Sequence, residues 1–364
     1  MQKKFEYTKD DTIIMKGIAV LLMIFYHFFH FPDRISSNGY ISLFKVNNMP
    51  IEYYISDFGQ ICIGIFVFLS GFGLYYSFSK KEVGTWKAIL KRIFNFLVSY
   101  WVIVIIFALI KYPILKIGTE FNLKEFVFNF FGITNSYCGE WWFVGLYIEL
   151  LLLLPVIKKL FNKLSNKKML SLIFGLFFLT FGFKMCCKMN QTLSKFSDND
   201  FVEEFINLLY WLPSFMLGYY FAKNNVFKNW YEKLQNSKFY NKKFVFISIV
   251  LIIIIRLLAW IFPLIVLKKE LHATYIDIFI VPIFIFLISL TYKRPSKFFL
   301  FIGNNSKNMW LIHTPLCYYL FPDFICMPRF SILIYLFLVS LTIIISVIID
   351  KLVKLFLRKE KNEQ

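Results

Sequence analysis

Acidic side chains are scarce in this 364-residue chain, where 22 Asp and Glu stand against 41 Lys and Arg for a formal net charge of +19. Such an excess can mark a nucleic-acid ligand. That class is excluded here, because the cations form no separate basic domain and sit in short segments between long apolar runs. Familiar catalytic signatures are missing too: there is no HExxH, GxSxG, Walker or GxGxxG motif. The six cysteines, Cys62, Cys138, Cys186, Cys187, Cys317 and Cys326, form no CxxC and match no zinc spacing. Cys186 and Cys187 are adjacent, which is poor geometry for a bond between them, so all six read as packing or free thiols. His27 and His30 lie one turn apart without a nearby carboxylate or cysteine, and no metal or bound cofactor is expected. Phe28–Phe31 followed by Pro32 offers no small-residue cleavage site, so the first apolar run is expected to stay in the mature protein. Neither an internal repeat nor an appended soluble domain is visible.

What the chain has in abundance is apolar surface. Hydrophobic residues make up 58% and aromatic residues 21%, more than a soluble domain carries. The sequence predicts an all-α, polytopic membrane protein, one domain over residues 1–364. Ten spans are expected near 12–31, 56–79, 93–112, 141–157, 168–187, 203–222, 243–262, 273–292, 299–320 and 331–350. Residues 122–137 are also apolar, but Lys124, Glu125 and Gly132 interrupt them, and a re-entrant or interfacial piece is expected. With the N-terminus inside, 28 Lys and Arg fall on the inner side and 11 on the outer, which puts both termini in the cytoplasm.

Three polar constellations stand inside this apolar background. The first is the helix Met15–Phe31, MKGIAVLLMIFYHFFHF, with His27 far inside it. A helix entering the bilayer near Thr12 carries His27 roughly 22 Å in, where an ionisable group is costly and a candidate for function. Lys16 shares its face roughly 16 Å away, at the inner mouth. A neutral imidazole is the usual general base; Lys16 reads equally as a snorkelling cation. The second is KAILKRIFNFLVSY at 87–100, where Lys87, Lys91 and Arg92 cluster on one side of a helix. Such a cluster binds phosphates or simply anchors the inner face. The third is FIGNNSKNMWLIHTP at 301–315, which sets Asn304, Asn305, Ser306, Lys307 and His313 in one span. These groups must face a cavity or partner helices. Of lesser weight, Ser70, Gly71 and Gly73 in FVFLSGFG allow close helix approach, and Glu140 opens the fourth span beside interfacial Trp141 and Trp142. Glu149 and Arg256 lie deeper and are candidates to pair.

With these residues in view, the chain resembles the acyltransferase-3 family of integral membrane acyltransferases, most closely the branch that O-acetylates bacterial surface polysaccharides. The resemblance covers nearly the whole chain. The Lys16–His27 helix resembles the family's basic residue and histidine in helix 1, and FVFLSGFG at 66–73 its FF-x-x-SGF. KRIFNFLVSYW at 91–101 resembles its R-x-x-R start of helix 3, and WWFVGLYIELLLLLP at 141–155 its WFL…P helix. IGNNSKNMWLIHTP at 302–315 resembles its G-K-x-S-x-x-x-x-L-I-H. Lys16 stands where the family usually has Arg, Asn95 where a second Arg is common, and Ser99 where Pro is common. A phosphate clamp is therefore thinner here, resting on Arg92 with Lys91 and Lys87.

The resemblance implies His27 as catalytic base, Lys16 and Arg92 as donor-binding residues, and Ser70 and His313 as cavity residues. It implies acyl-CoA, usually acetyl-CoA, as a co-substrate from the cytoplasmic side, and a sugar hydroxyl on a polysaccharide or lipid-linked saccharide as acceptor. The setting it implies is the bacterial cytoplasmic membrane with its lipids; whether the chain is a homo-oligomer stays open. Acyl transfer needs an oxyanion donor, for which Asn305, Ser306 and Trp310 are candidates. The rival class is a polysaccharide exporter or flippase, which should show repeat symmetry and paired broken helices, and neither is seen.

Overall fold

The computed structural model describes residues 5–35, 39–78, 85–117, 120–190, 192–193, 195, 199–238, 240–266, 272–292 and 294–362. Lys3, Lys4, Lys80, Lys81 and Lys293, counted above as inner cations, lie outside the described residues. The fold is helical: α1 (Lys9–His30), α2 (Ile61–Phe78), α3 (Thr85–Leu109), α4 (Leu123–Phe130), α5 (Trp142–Lys163), α6 (Asn166–Met189), α7 (Asp200–Lys223), α8 (Val226–Gln235), α9 (Lys242–Val266), α10 (Asp277–Ser289), α11 (Lys297–Thr314) and α12 (Ser331–Asn362). The sheet among the described residues is the two-residue pair Lys45–Val46 and Met49–Pro50.

A helix occupies each of the ten places where a span is expected. Six are long and apolar enough to cross a membrane: Lys9–His30, Ile51–Phe78, Trp86–Ile114, Asn166–Met189, Lys242–Val266 and Ser331–Leu355. The other four carry more charged or polar residues or, at Asp277–Ser289, are shorter. The chain is a multi-pass membrane protein.

Contacts gather the chain into two compact units. The first comprises Met1–Thr12, Ile63–Leu90 and Leu146–Lys293. It begins with the cap of α1: the Thr8 hydroxyl accepts from the Asp11 N–H at 3.2 Å, while the Asp11 carboxylate accepts from the Thr8 N–H at 2.6 Å. This reciprocal arrangement satisfies helix-end donors that would otherwise be orphaned. Helices α2 and α7 approach backbone to backbone. A Cβ on Gly71 would overlap the Phe215 carbonyl oxygen, and one on Gly218 the Phe68 carbonyl oxygen, whereas Gly73 faces open space. Helix ends are capped by cations: Lys158 Nζ donates to the Phe78 carbonyl at 3.0 Å, and Lys223 Nζ donates to that of Phe161. Deeper in the unit, Arg256 on α9 pairs with Asp277 at the start of α10, not with Glu149 as expected. Nε donates to Oδ1 at 2.9 Å and Nη2 to Oδ2 at 3.3 Å, with both side chains 0% exposed. Glycine at position 64 leaves the Asp277 side chain its space.

The second unit comprises Ile13–Cys62, Lys91–Gly145 and Arg294–Gln364. Here α1 meets α11 in the same manner as α2 meets α7. A Cβ on Gly17 would stand 2.7 Å from the Phe299 carbonyl oxygen, and one on Gly303 would overlap that of Ile13. Tyr335 on α12 donates to the Leu21 carbonyl of α1 at 3.0 Å. Helix α1 stops at His30 because Pro32 cannot continue it, and Pro32–Arg34 forms a 3-10 turn. Residues 122–137 do not span. Their helix, α4, has eight residues, about 12 Å of rise, and Asn129 ties the following turn back. Asn129 Nδ2 donates to the Glu125 carbonyl at 2.9 Å and to Ser136 Oγ at 2.8 Å, while its Oδ1 accepts from the Tyr137 N–H at 3.1 Å.

Candidate functional site

The second unit brings together residues far apart in sequence. His27 is three residues from the end of α1, and His313 is one residue from the end of α11. His27 Nδ1 lies 2.7 Å from His313 Nε2. His313 Nδ1 in turn lies 2.7 Å from the Trp310 carbonyl oxygen and 3.2 Å from that of Met309. His313 is 0% exposed, whereas His27 is half-buried.

These distances fix the tautomers. A carbonyl oxygen only accepts, so His313 Nδ1 carries a proton. In a neutral imidazole the other nitrogen is then bare, so His313 Nε2 accepts and His27 Nδ1 donates. What remains is a bare His27 Nε2, the lone pair that a general base needs. Tyr318 holds the end of the helix by donating to the His27 carbonyl oxygen.

Beside the histidines lies a second polar cluster. Arg34 Nη1 donates to Glu140 Oε1 at 2.5 Å, with side-chain exposures of 51% and 9%. Glu140 Oε2 accepts from the Tyr319 hydroxyl at 3.2 Å and from the Cys138 thiol at 3.4 Å. Cys138 Sγ is also 3.3 Å from Thr314 Oγ1, next to His313 in the chain. Burial, and then the charge of Glu140, raises the Cys138 thiol well above its ordinary range, so it is a neutral donor and not a thiolate nucleophile. The Arg34 guanidinium rests over the Phe31 ring at 4.9 Å and the Tyr318 ring at 5.6 Å. The charge of Glu140 is felt at His313 and that of Arg34 at His27. Trp141 Nε1 donates to the Leu311 carbonyl at 3.0 Å, which fastens the start of α5 to α11.

Other residues singled out from the sequence fall in different places. Lys16, half-buried, and Arg92 are electrostatic neighbours of like charge. Lys91 is exposed on the same helix as Arg92. Ser306 Oγ donates to the Gly303 carbonyl at 2.7 Å, and Asn305 is engaged with α12, where its Oδ1 accepts from Ser346 at 3.2 Å. Lys307 donates to Ser99 Oγ at 2.6 Å, so the serine gives a half-buried cation its acceptor. Ser70 and Lys87 belong to the first unit. The Ser70 hydroxyl donates to the Phe66 carbonyl at 2.7 Å, and Lys87 is exposed. Arg34 and the tyrosines at 318 and 319 were not candidates from sequence. Arg34 counts there only as an outer cation, and the one signal was the place of each just past a histidine-bearing segment.

The family model described as an acyltransferase domain, that of acyltransferase-3, matches residues 12–351. No curated protein and no solved structure matches the chain.

Proposed function

The chain belongs to the acyltransferase-3 family of membrane acyltransferases, and from that premise we propose that it moves an acetyl group from acetyl-CoA to a hydroxyl of a surface polysaccharide or its lipid-linked precursor. The observation that carries this reading is the ordered chain from the Trp310 carbonyl through His313 to His27, which leaves His27 Nε2 bare.

In the proposed reaction the acceptor hydroxyl gives its proton to His27 Nε2 as its oxygen attacks the thioester carbonyl. The tetrahedral intermediate collapses with loss of the CoA thiolate, which takes the proton from the His27 imidazolium. His313 acts on His27 as a positioning residue: it accepts from Nδ1 and so keeps the tautomer. Glu140 lends negative charge toward His313 when the pair carries the extra proton. Lys16 and Arg92, with Lys91, supply the cations for the donor's phosphates, Arg92 by a planar fork and the lysines as point charges. The excess of Lys and Arg on one side of the expected spans, read as both termini cytoplasmic, supports donor entry from that side.

Proton NMR of the surface polysaccharide from cells with and without the gene tests the reaction. Loss of an O-acetyl signal with normal polymer export is expected; loss of export with acetylation intact would instead identify an exporter. For the donor, Arg92→Ala should weaken CoA binding to the purified protein, and Lys91→Ala should weaken it less. Unchanged CoA binding by Arg92→Ala would place the clamp elsewhere.

A further inference from the structure

Two helices of the second unit end in the same way, and their ends meet. Beyond α3 the chain widens into a π-helical turn, Ile110–Ile114, and the Leu115 N–H bonds the Ile110 carbonyl five residues back at 2.9 Å. Beyond α11 it does so again at Pro315–Leu320, where the Phe321 N–H reaches the Leu316 carbonyl at 3.0 Å. Such turns are rare and recur at functional sites. The Phe107 and Tyr319 rings join the two ends edge to face at 6.2 Å.

The two turns carry a strip of aromatic rings with a cation at each end. At one end is Arg34, over the Tyr318 ring and bonded to Glu140. Tyr318 and Tyr319 follow, with centroids 6.3 Å apart. At the other end Lys111 holds its ammonium 5.2 Å from the Tyr112 ring, 5.6 Å from that of Tyr137 and 5.7 Å from that of Phe107. Lys111, Tyr112, Tyr318 and Tyr319 are each half-buried, so each keeps a face to offer. Among the described residues the Lys111 ammonium makes no ion pair and no hydrogen bond, and the Glu125 carboxylate instead accepts from Ser136 Oγ at 2.7 Å. A lysine at the end of a span ordinarily carries its charge out to water. Here three rings hold the cation, yet they leave its N–H donors without an acceptor.

The combination narrows the ligand. An apolar chain would use the rings and leave both cations idle. A neutral sugar would use the rings through its C–H faces and the phenols through its hydroxyls, and would leave Lys111 idle. The donor's phosphates, placed at Arg92 above, are out of reach. Arg92 is 19 residues before Lys111 on the same helical run, about 28 Å along its axis. A saccharide that carries an anionic group uses every part of the strip. The strip also adjoins the base, since Tyr318 donates to the His27 carbonyl oxygen and Tyr319 to Glu140.

We propose that the strip from Arg34 to Lys111 is the acceptor subsite and, resting on the acyl-transfer reading above, that it selects an acidic saccharide. The carboxylate or phosphodiester of the sugar chain sits on Lys111, and a sugar ring lies on the tyrosines next to His27.

The test uses the full chain in nanodiscs and surface polysaccharide from cells lacking the gene, cut to short oligosaccharides. The probes are untreated fragments, fragments with carboxylates reduced to alcohols, and fragments with phosphodiesters removed by hydrofluoric acid. In isothermal titration the untreated fragments should bind, and one of the two treatments should weaken binding by about tenfold or more. The treatment that does so names the anion. Lys111→Gln should weaken the untreated fragments by a similar factor, whereas Lys111→Arg, which keeps the charge, should bind them as the wild type does. CoA binding and the melting temperature should stay close to wild type in both variants. Equal binding of untreated fragments by wild type and Lys111→Gln would overturn the subsite, and acetyl transfer to the fragments would then leave the acyl-transfer reading standing. Binding that depends on Lys111, without acetyl transfer at saturating acetyl-CoA, would overturn the acyl-transfer reading and keep the saccharide subsite. No binding of any fragment at about millimolar concentration, or binding that neither treatment weakens, would overturn the subsite outright.

Discussion

The imidazoles of His27 and His313 lie 17° from parallel with centroids 5.0 Å apart, joined edge to edge by one hydrogen bond. The bond has a direction, because only His27 has a proton to give it. His27→Asn should therefore cost about 100- to 10,000-fold in turnover. His313→Ala should cost at least about tenfold, since it frees the tautomer while leaving the base in place. His30 is stacked on Tyr53 at 5.1 Å and 7°, and on Tyr26 at 4.8 Å. His30→Asn should therefore lower the melting temperature and keep most of the turnover. Acetyl transfer in nanodiscs beside a melting curve separates the three variants. A well-folded His27→Asn protein with more than about a tenth of wild-type turnover would remove His27 as base.

Arg34 and Glu140 form a pair that is half in water, so their attraction is moderate and their orientation of one another matters more. Glu140→Gln should lower turnover through His313 and leave the donor KM unchanged. A double-mutant cycle with Arg34→Gln and Glu140→Gln should give a coupling of about 0.5–3 kcal/mol in turnover. Additive losses would mean that the two act separately.

The Arg256–Asp277 pair makes a stability prediction independent of chemistry. Removing one partner of a buried ion pair costs about 3–5 kcal/mol, whereas replacing both with apolar side chains is often neutral. Asp277→Ala should unfold at a markedly lower temperature, and Arg256→Met with Asp277→Leu should recover most of the loss. A melting temperature for Asp277→Ala equal to wild type would show that the arginine finds other solvation.

Gly71 and Gly73 are two residues apart in FVFLSGFG and should behave oppositely. Gly71→Ala puts a methyl into the Phe215 carbonyl and should cost about 1–3 kcal/mol or more. Gly73→Ala meets nothing within 4 Å and should be neutral or gain about 0.5–1 kcal/mol in helix propensity. Expression level and melting temperature of the two variants check the difference.

The helices were legible because a lipid-facing run needs uninterrupted apolar residues, and polar interruptions such as Lys124 and Glu125 marked residues 122–137, where the helix is eight residues long. His27 and His313 were legible because imidazoles are rare in such runs. Their mutual bond was not, since it joins positions 286 residues apart and depends on which helices touch. Arg34 was hidden for the opposite reason: a cation in an outer loop is ordinary, and only the fold reveals that Glu140 faces it. The expected partner of Arg256 failed likewise, because hydropathy places Glu149 and Asp277 in spans without saying which span is adjacent. The polar run at 301–315 was expected to face a cavity or partner helices, and sequence could not divide it: Asn305 meets Ser346 of α12, whereas Ser306 bonds the Gly303 carbonyl of its own helix.

Gly17 and Gly303 mark where α1 and α11 touch, and each histidine lies ten residues beyond its glycine. The two helices thus act as matched rulers, measuring equal lengths from a common zero to a common end. One residue inserted into 18–26 or 304–312 would turn its histidine by about 100° and move it about 1.5 Å. The lengths of these two stretches are thereby locked to each other, so that a change of length in one helix must be matched in the other if His27 Nδ1 is to stay within reach of His313 Nε2.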